Sequence, residues 1–269
     1  MDEPHICVTC GAQFPAAPAP PSSCPICEDE RQYVGHDGQR WTTLGALRRD
    51  RRNAVHPIAT SLTTIRTEPS FAIGQCAHLI ETPAGNLLWN CVNLIDDETV
   101  RAVEERGGLT AIAVSHPHFF TGVADWSRAF GGVPVFIHAA DREWVTRPDP
   151  AIRFWDGETT EPLSGSGLTL IRFRHFADRP QWSVNARVAQ RRRARRRGDR
   201  PFRQNASATQ PWRIWRTGSV GSARAEAVNL PPMTADLIRL LPFDHPHDGW
   251  PDGIVAVDAR DAIRRSATC

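Results

Sequence analysis

Two Cys-x-x-C turns, Cys7-Val8-Thr9-Cys10 and Cys24-Pro25-Ile26-Cys27, stand near the start of the chain with thirteen residues between them. That spacing lets the two turns face each other and offer four thiolates to one tetrahedral ion. Gly11 follows the first pair and tolerates the left-handed backbone such a turn needs. Pro25 pre-sets the second turn. Residues 1–40 are too few to bury a core of their own, so a metal is expected to supply their folding energy, on the order of 10 kcal/mol. The competing reading, four free or redox-active thiols, fits paired spacing poorly. Zinc is the expected occupant, in a structural role, with a redox-active iron as the alternative, and no catalysis is assigned to it because a closed four-thiolate site has no open position for chemistry.

The remaining cysteines, Cys76, Cys91 and Cys269, are scattered. The first five residues, Met1-Asp2-Glu3-Pro4-His5, lack the basic-then-apolar pattern of a secretion signal. No apolar run reaches the roughly 18 residues of a membrane span. The expectation is a cytoplasmic protein, not membrane-bound, in which cysteine pairs serve metal rather than disulfides. At 269 residues and 41% hydrophobic, the chain holds one mid-sized domain besides the cysteine unit. Residues 41–57, polar and Arg-rich, read as a linker with a short helix, and residues 58–269 as the main domain.

Within that domain, strand and helix patterns alternate, which argues for α/β layering. Ile58 to Thr67 reads as a strand, and Ala77 to Glu81 with Leu87 to Asn90 as a hairpin around Pro83-Ala84-Gly85-Asn86. Asp96 or Asp97 is placed to cap a helix that Gly107-Gly108 ends. Thr110 to Ser115 is a short apolar strand of the doubly buried kind. Helices are expected over Val123–Phe130 and Ala139–Thr146, and strands over Pro134–Ile137 and Leu168–Phe173. Two further helices are expected at Thr234–Leu241 and Asp258–Ser266.

His116-Pro117-His118 follows the buried strand directly, at the strand end where α/β proteins place their chemistry. Pro117 biases His116 toward extended backbone. In an extended segment residues i and i+2 point the same way, so both imidazoles reach one ion. Alone, a His-x-His is a weak signal; its position after a strand strengthens it.

Ser115-His116-Pro117-His118, preceded by Gly85-Asn86-Leu87-Leu88-Trp89-Asn90-Cys91 and followed by His138-Ala139-Ala140-Asp141-Arg142-Glu143-Trp144, resembles the metallo-β-lactamase-fold hydrolases. The N-terminal unit resembles zinc ribbons and rubredoxin-like knuckles. The resemblance implies a four-layer αββα sandwich with metal at one edge between two sheets. His116 and His118 match the first two histidines of the family's HxHxDH signature, and His175 fits the third histidine of the first metal site. Phe120 stands where the family has Asp and Thr121 where it has His, so the second metal site is in doubt and the catalytic zinc is expected to be mononuclear. His245 and His247 are candidates for the late histidine, His247 being retained as a metal ligand. Asp141, or Asp125, is a candidate for orienting a ligand or water, against the plainer reading of a cap or surface acid. Asn90, at a strand end, is a further candidate for such a supporting role. The implied activity is hydrolysis of an ester, thioester or lactone carbonyl in a small-molecule substrate.

Residues 177–227 break the pattern. All the basic residues of this chain are arginine, and thirteen of them lie between 178 and 225 against only Asp178 and Asp199. Outside that stretch the chain is net acidic. Three readings compete: a solvated insertion, a nucleic-acid patch with Trp212 and Trp215 beside the arginines, or an altered reading frame in a GC-rich gene that ends near Asn229. The last ranks first, because the interruption falls where a core strand belongs. The rivals to the hydrolase are therefore a nucleic-acid-binding zinc-ribbon protein and an inactive member of the fold.

Overall fold

The computed structural model describes residues 3–28, 34, 36, 38–173, 185–191, 212–216 and 245–248. The cysteine unit forms a three-stranded antiparallel sheet. Its strands β1 (Pro4–Cys7), β2 (Gln13–Ala16) and β3 (Trp41–Thr42) lie in the order β2-β1-β3. Phe14 and Trp41 meet edge to face at 5.1 Å, and Ile26 is fully buried among the cysteines. The third strand thus comes from the segment expected to be a linker. The rest of that segment is equally committed. Helix α1 (Leu44–Leu47) is capped by Thr43, and Leu47 packs with Ile6, Phe71 and Leu94. Arg48 donates twice to the Ile95 carbonyl, at 2.9 and 2.7 Å.

Seven strands make the main sheet, in the order β10-β9-β8-β7-β6-β5-β4. They are β4 (Arg52–Ala59), β5 (Leu62–Glu68), β6 (Cys76–Ile80), β7 (Leu87–Trp89), β8 (Ala111–Ala113), β9 (Val135–His138) and β10 (Ile152–Trp155). Strands β4 to β7 run antiparallel and β7 to β10 parallel. The expected strand Ile58–Thr67 is instead two strands of a hairpin that turns at Thr60-Ser61. The edge strand β4 has no buried residue and no regular apolar alternation, which hid it from a search for strand patterns.

The apolar alternation explains the layers. On β7 and β8, Leu88 and Ile112 face the helices, joining Val103, Val123 and Trp126. Leu87, Trp89, Ala111 and Ala113 face the other way, against Leu168 and Leu170. A period of two in a fully apolar run therefore serves two cores at once. Helix α2 (Asp97–Glu104) starts on Asp96, whose Oδ1 accepts from the Thr99 N–H at 2.7 Å. Gly107 and Gly108, at φ 97° and 69°, turn the chain out of it. Helix α3 (Val123–Ala129) completes the outer layer. The helix expected over Ala139–Thr146 is a 3-10 helix, Ala139–Trp144.

The second sheet has the order β11-β12-β13-β14-β15, with β11 (Thr159–Thr160), β12 (Leu168–Phe173), β13 (Asn185–Arg191), β14 (Trp212–Arg216) and β15 (His245–Asp248). Two of these strands lie inside the arginine-rich segment, which was expected to carry little strand pattern. The C-terminal helices expected at 234–241 and 258–266 lie outside the described residues. Among the described residues no helix is long and apolar enough to cross a membrane.

Candidate functional site

The four paired cysteines converge. Their ligand atoms all lie within 4.8 Å of one another and all four residues are buried. Cys7 Sγ is 3.5 Å from Cys27 Sγ, and Cys10 Sγ is 3.6 Å from Cys24 Sγ. A tetrahedral ion with metal–sulfur bonds of about 2.3 Å sets its sulfurs about 3.8 Å apart, so the cluster fits one such ion. The sulfurs also receive N–H donors, as thiolates do. Cys10 N and Gln39 Nε2 donate to Cys7 Sγ at 3.5 and 3.1 Å, and Ala12 N to Cys10 Sγ at 3.5 Å. Crowding alone divides the protons unevenly. Hydrogen bonds from Cys10, then Cys24 and Cys27, pull the Cys7 thiol down, while Cys24, Cys27 and Cys7 push Cys10 up. Four thiolates need a cation to coexist here, which makes this a metal-binding cluster. Among the described residues it is the only group of three or more such ligands.

The histidine pair lies at the end of β8. His116 is extended, at φ −168° and ψ 172°, but Pro117–Phe119 form a 3-10 turn rather than continuing the strand. Pro117, with its fixed φ, suits the first position of that turn. The expectation of two imidazoles aligned by extended backbone is therefore replaced: the turn brings the rings together, with centroids 5.3 Å apart. Ser115 Oγ lies 3.0 Å from His116 Nδ1, which assigns any ligation by His116 to Nε2. Asn90 holds this strand end. It is fully buried at φ 64°, and its Oδ1 accepts from Ser115 N at 3.0 Å. Asn tolerates that left-handed backbone better than most residues.

The two residues after Phe119 are used for packing. Phe120 lies in the helix-side core, and Thr121, 1% exposed, bonds to the Gly11 carbonyl at 2.5 Å and to Asn93. Neither is a metal ligand by chemistry or placement. Asp141 is buried in the first turn of its 3-10 helix. Asp125 is committed elsewhere: Arg147 grips both its oxygens, at 2.7 and 2.9 Å. His175 lies outside the described residues. His247 is on β15, paired in register with Trp215, and its side chain is likewise outside what is described.

Sequence reasoning missed the neighbours that join the two sites. Gln75 and Asn93 are buried polar residues in irregular segments, and no local pattern marks them. They also line a cavity of about 240 Å³ with Arg66, Glu68, Ser70 and Phe71. Neither histidine lines that cavity, so it is not the mouth of the pair. His138 ends β9 and is buried. Its Nδ1 accepts from Ala140 N and its Nε2 lies 3.1 Å from the Gly157 carbonyl. Burial, helped by Arg172, pulls its pKa below the ordinary histidine value. Burial, reinforced by Asp125, holds the Cys91 thiol well above its ordinary range.

No family model matches the chain. It is 47% identical over 166 residues to the uncharacterized protein YmaE of Bacillus subtilis (strain 168), a match covering 61% of this chain. The chain spans about 60% of the length of that relative. Among solved structures, Rm3 metallo-beta-lactamase superposes with a TM-score of 0.50 at 11% identity, over 81% of this chain and 93% of that one. The metallo-beta-lactamase SMB-1 gives 0.51 at 12% identity, over 80% and 93%. The Flv1 flavodiiron core from Synechocystis sp. PCC6803 gives 0.52 at 12% identity, over 81% of this chain and 60% of that one. At such identities a shared fold is what is shown, and it agrees with the two-sheet layering: the chain carries the metallo-β-lactamase fold, with a four-cysteine metal-binding unit built onto its N-terminus.

Proposed function

We propose that the chain is a zinc-dependent hydrolase with one structural and one catalytic ion. Cys7, Cys10, Cys24 and Cys27 hold the first; His116, His118 and His175 hold the second, with His247 as a further candidate ligand. The observation that carries this reading is the separation of the histidine rings. Two imidazoles on one tetrahedral ion have centroids about 5 Å apart, and these stand at 5.3 Å. Use of Phe120 and Thr121 for packing supports a mononuclear site. An ion held there polarises a carbonyl and lowers the pKa of water, the chemistry that hydrolysis of an ester, thioester or lactone requires. The chain's own part is orientation. Asn90 fixes Ser115, Ser115 engages His116 Nδ1, and the 3-10 turn presents His118 beside it. Asp141, buried nearby in sequence to His138, is kept as a candidate for orienting a ligand. Four reduced cysteines suit a reducing compartment, the cytoplasm.

The test is metal stoichiometry together with hydrolysis. Purified chain should hold two ions and hydrolyse members of an ester and lactone panel in a chelator-sensitive way. His116→Ala with His118→Ala should hold one ion and lose that hydrolysis. One ion in both proteins would refute the reading.

A further inference from the structure

We infer that the four-cysteine unit positions the histidine loop, with Gln75 as the positioning residue that joins them. For its functional consequence this rests on the reading of His116 and His118 as ligands; its structural content does not. Gln75 is 5% exposed, and its Nε2 has two protons. One goes to the Cys10 carbonyl at 2.7 Å and the other to the His118 carbonyl at 3.1 Å. A single side-chain amide therefore ties the backbone of a cysteine ligand to the backbone of a histidine candidate. Three residues on, Thr121 repeats the tie with Gly11. The Gly11 carbonyl only accepts, so the one hydroxyl proton of Thr121 goes there. Asn93 must then donate to Thr121, with its amide turned so that nitrogen faces the hydroxyl. That orientation also gives a partner to a buried amide nitrogen that otherwise has none.

The seam has no slack. Gly11 sits at φ +83°, and a Cβ there would lie 2.3 Å from the Asn93 amide and 2.9 Å from Gln75 Nε2. The segment from His118 to Thr121 is thus pinned at both ends by two consecutive residues of one cysteine turn. The conformation of that turn is itself set by Cys7 and Cys10 closing on their ion. Filling the cysteine site and shaping the histidine loop become one event, because the carbonyls of residues 10 and 11 point correctly only when the turn is closed.

Hydrogen exchange over residues 115–122 tests this in the full chain. Gln75→Met, which keeps the volume and removes both donors, should speed exchange there at least tenfold while the cobalt-substituted cysteine site keeps its thiolate charge-transfer absorbance. Chelating the cysteine-bound ion from the wild-type chain should have the same effect. Should Gln75→Met fail to fold, the pair Thr121→Ser and Thr121→Val serves: serine keeps the loop protected and valine does not. Unchanged exchange in Gln75→Met, or equal exchange in the two Thr121 variants, would overturn the inference. Titration of a second Co²⁺ is read separately. A wild-type chain that binds none refutes the hydrolase reading, while loop protection still decides the coupling. If the second ion binds, its affinity should fall about tenfold in Gln75→Met.

Discussion

Replacing Arg147 with methionine cuts the strut that holds the cysteine unit against helix α3. Arg147 gives Asp125 two parallel bonds, at 2.7 and 2.9 Å, and a third to Gln13 Oε1 at 2.5 Å. The Arg147 and Asp125 side chains are only 12% and 18% exposed. Two unit charges about 4 Å apart attract by about 4 kcal/mol at an effective dielectric near 20. Desolvation and side-chain ordering cancel about half of that. A coupling of about 2 kcal/mol between Asp125 and Arg147 should remain in a double-mutant cycle built with Arg147→Met and Asp125→Asn. Arg147→Met alone should cost about 3 kcal/mol, since it also leaves Asp125 with only the longer Arg128 contact at 3.5 Å. For a domain of this size that is a fall in Tm of about 6–12 °C. Urea unfolding with excess zinc, followed by tryptophan fluorescence, measures all four corners of the cycle. A coupling below about 0.5 kcal/mol would equal that of an exposed pair and refute the strut.

Two other outcomes follow from the same structure. Burial holds the folded pKa of His138 below its unfolded value near 6.5, so the unfolded chain takes up the proton first as pH falls. Its contribution to stability is present above about pH 6.5 and is lost as pH falls through the window beneath. His138→Asn, which keeps an acceptor for Ala140 N, should show a shallower loss between neutral and acidic pH; identical slopes in urea titrations would rule the effect out. Trp126 is fully buried and donates its indole N–H to the Val92 carbonyl at 3.0 Å, so Trp126→Ala should destabilise by about 3–5 kcal/mol in chemical denaturation. The altered-frame reading of residues 177–227 rests on the sequence alone, since β13 and β14 fall within that segment; resequencing the gene decides it, and an intact frame shared by related chains would end that reading.

Much of the architecture was legible because it rests on local pattern. The hairpin around Pro83 to Asn86, the Asp96 cap, the Gly107-Gly108 stop and the apolar strand before Ser115 are all decided by residues close together in sequence. The hairpin of β4 and β5 was not legible, because an edge strand that buries none of its residues carries no regular apolar alternation. Nor was the 3-10 turn after His116, since Pro117 suits an extended neighbour and a helical start equally.

What the sequence determined by itself was the chemistry on offer: four thiols spaced to share an ion, and two imidazoles at a strand end. Only the tertiary structure decided how those offers relate. Gln75 meets Cys10 across 65 positions, and Thr121 meets Gly11 across 110. Such contacts depend on the closure of two sheets and on tenths of an ångström at Gly11, which leave no periodic trace. Spacing names candidate ligands because ligation is local in its demands, whereas the docking of the cysteine unit on the histidine loop belongs to the packed whole.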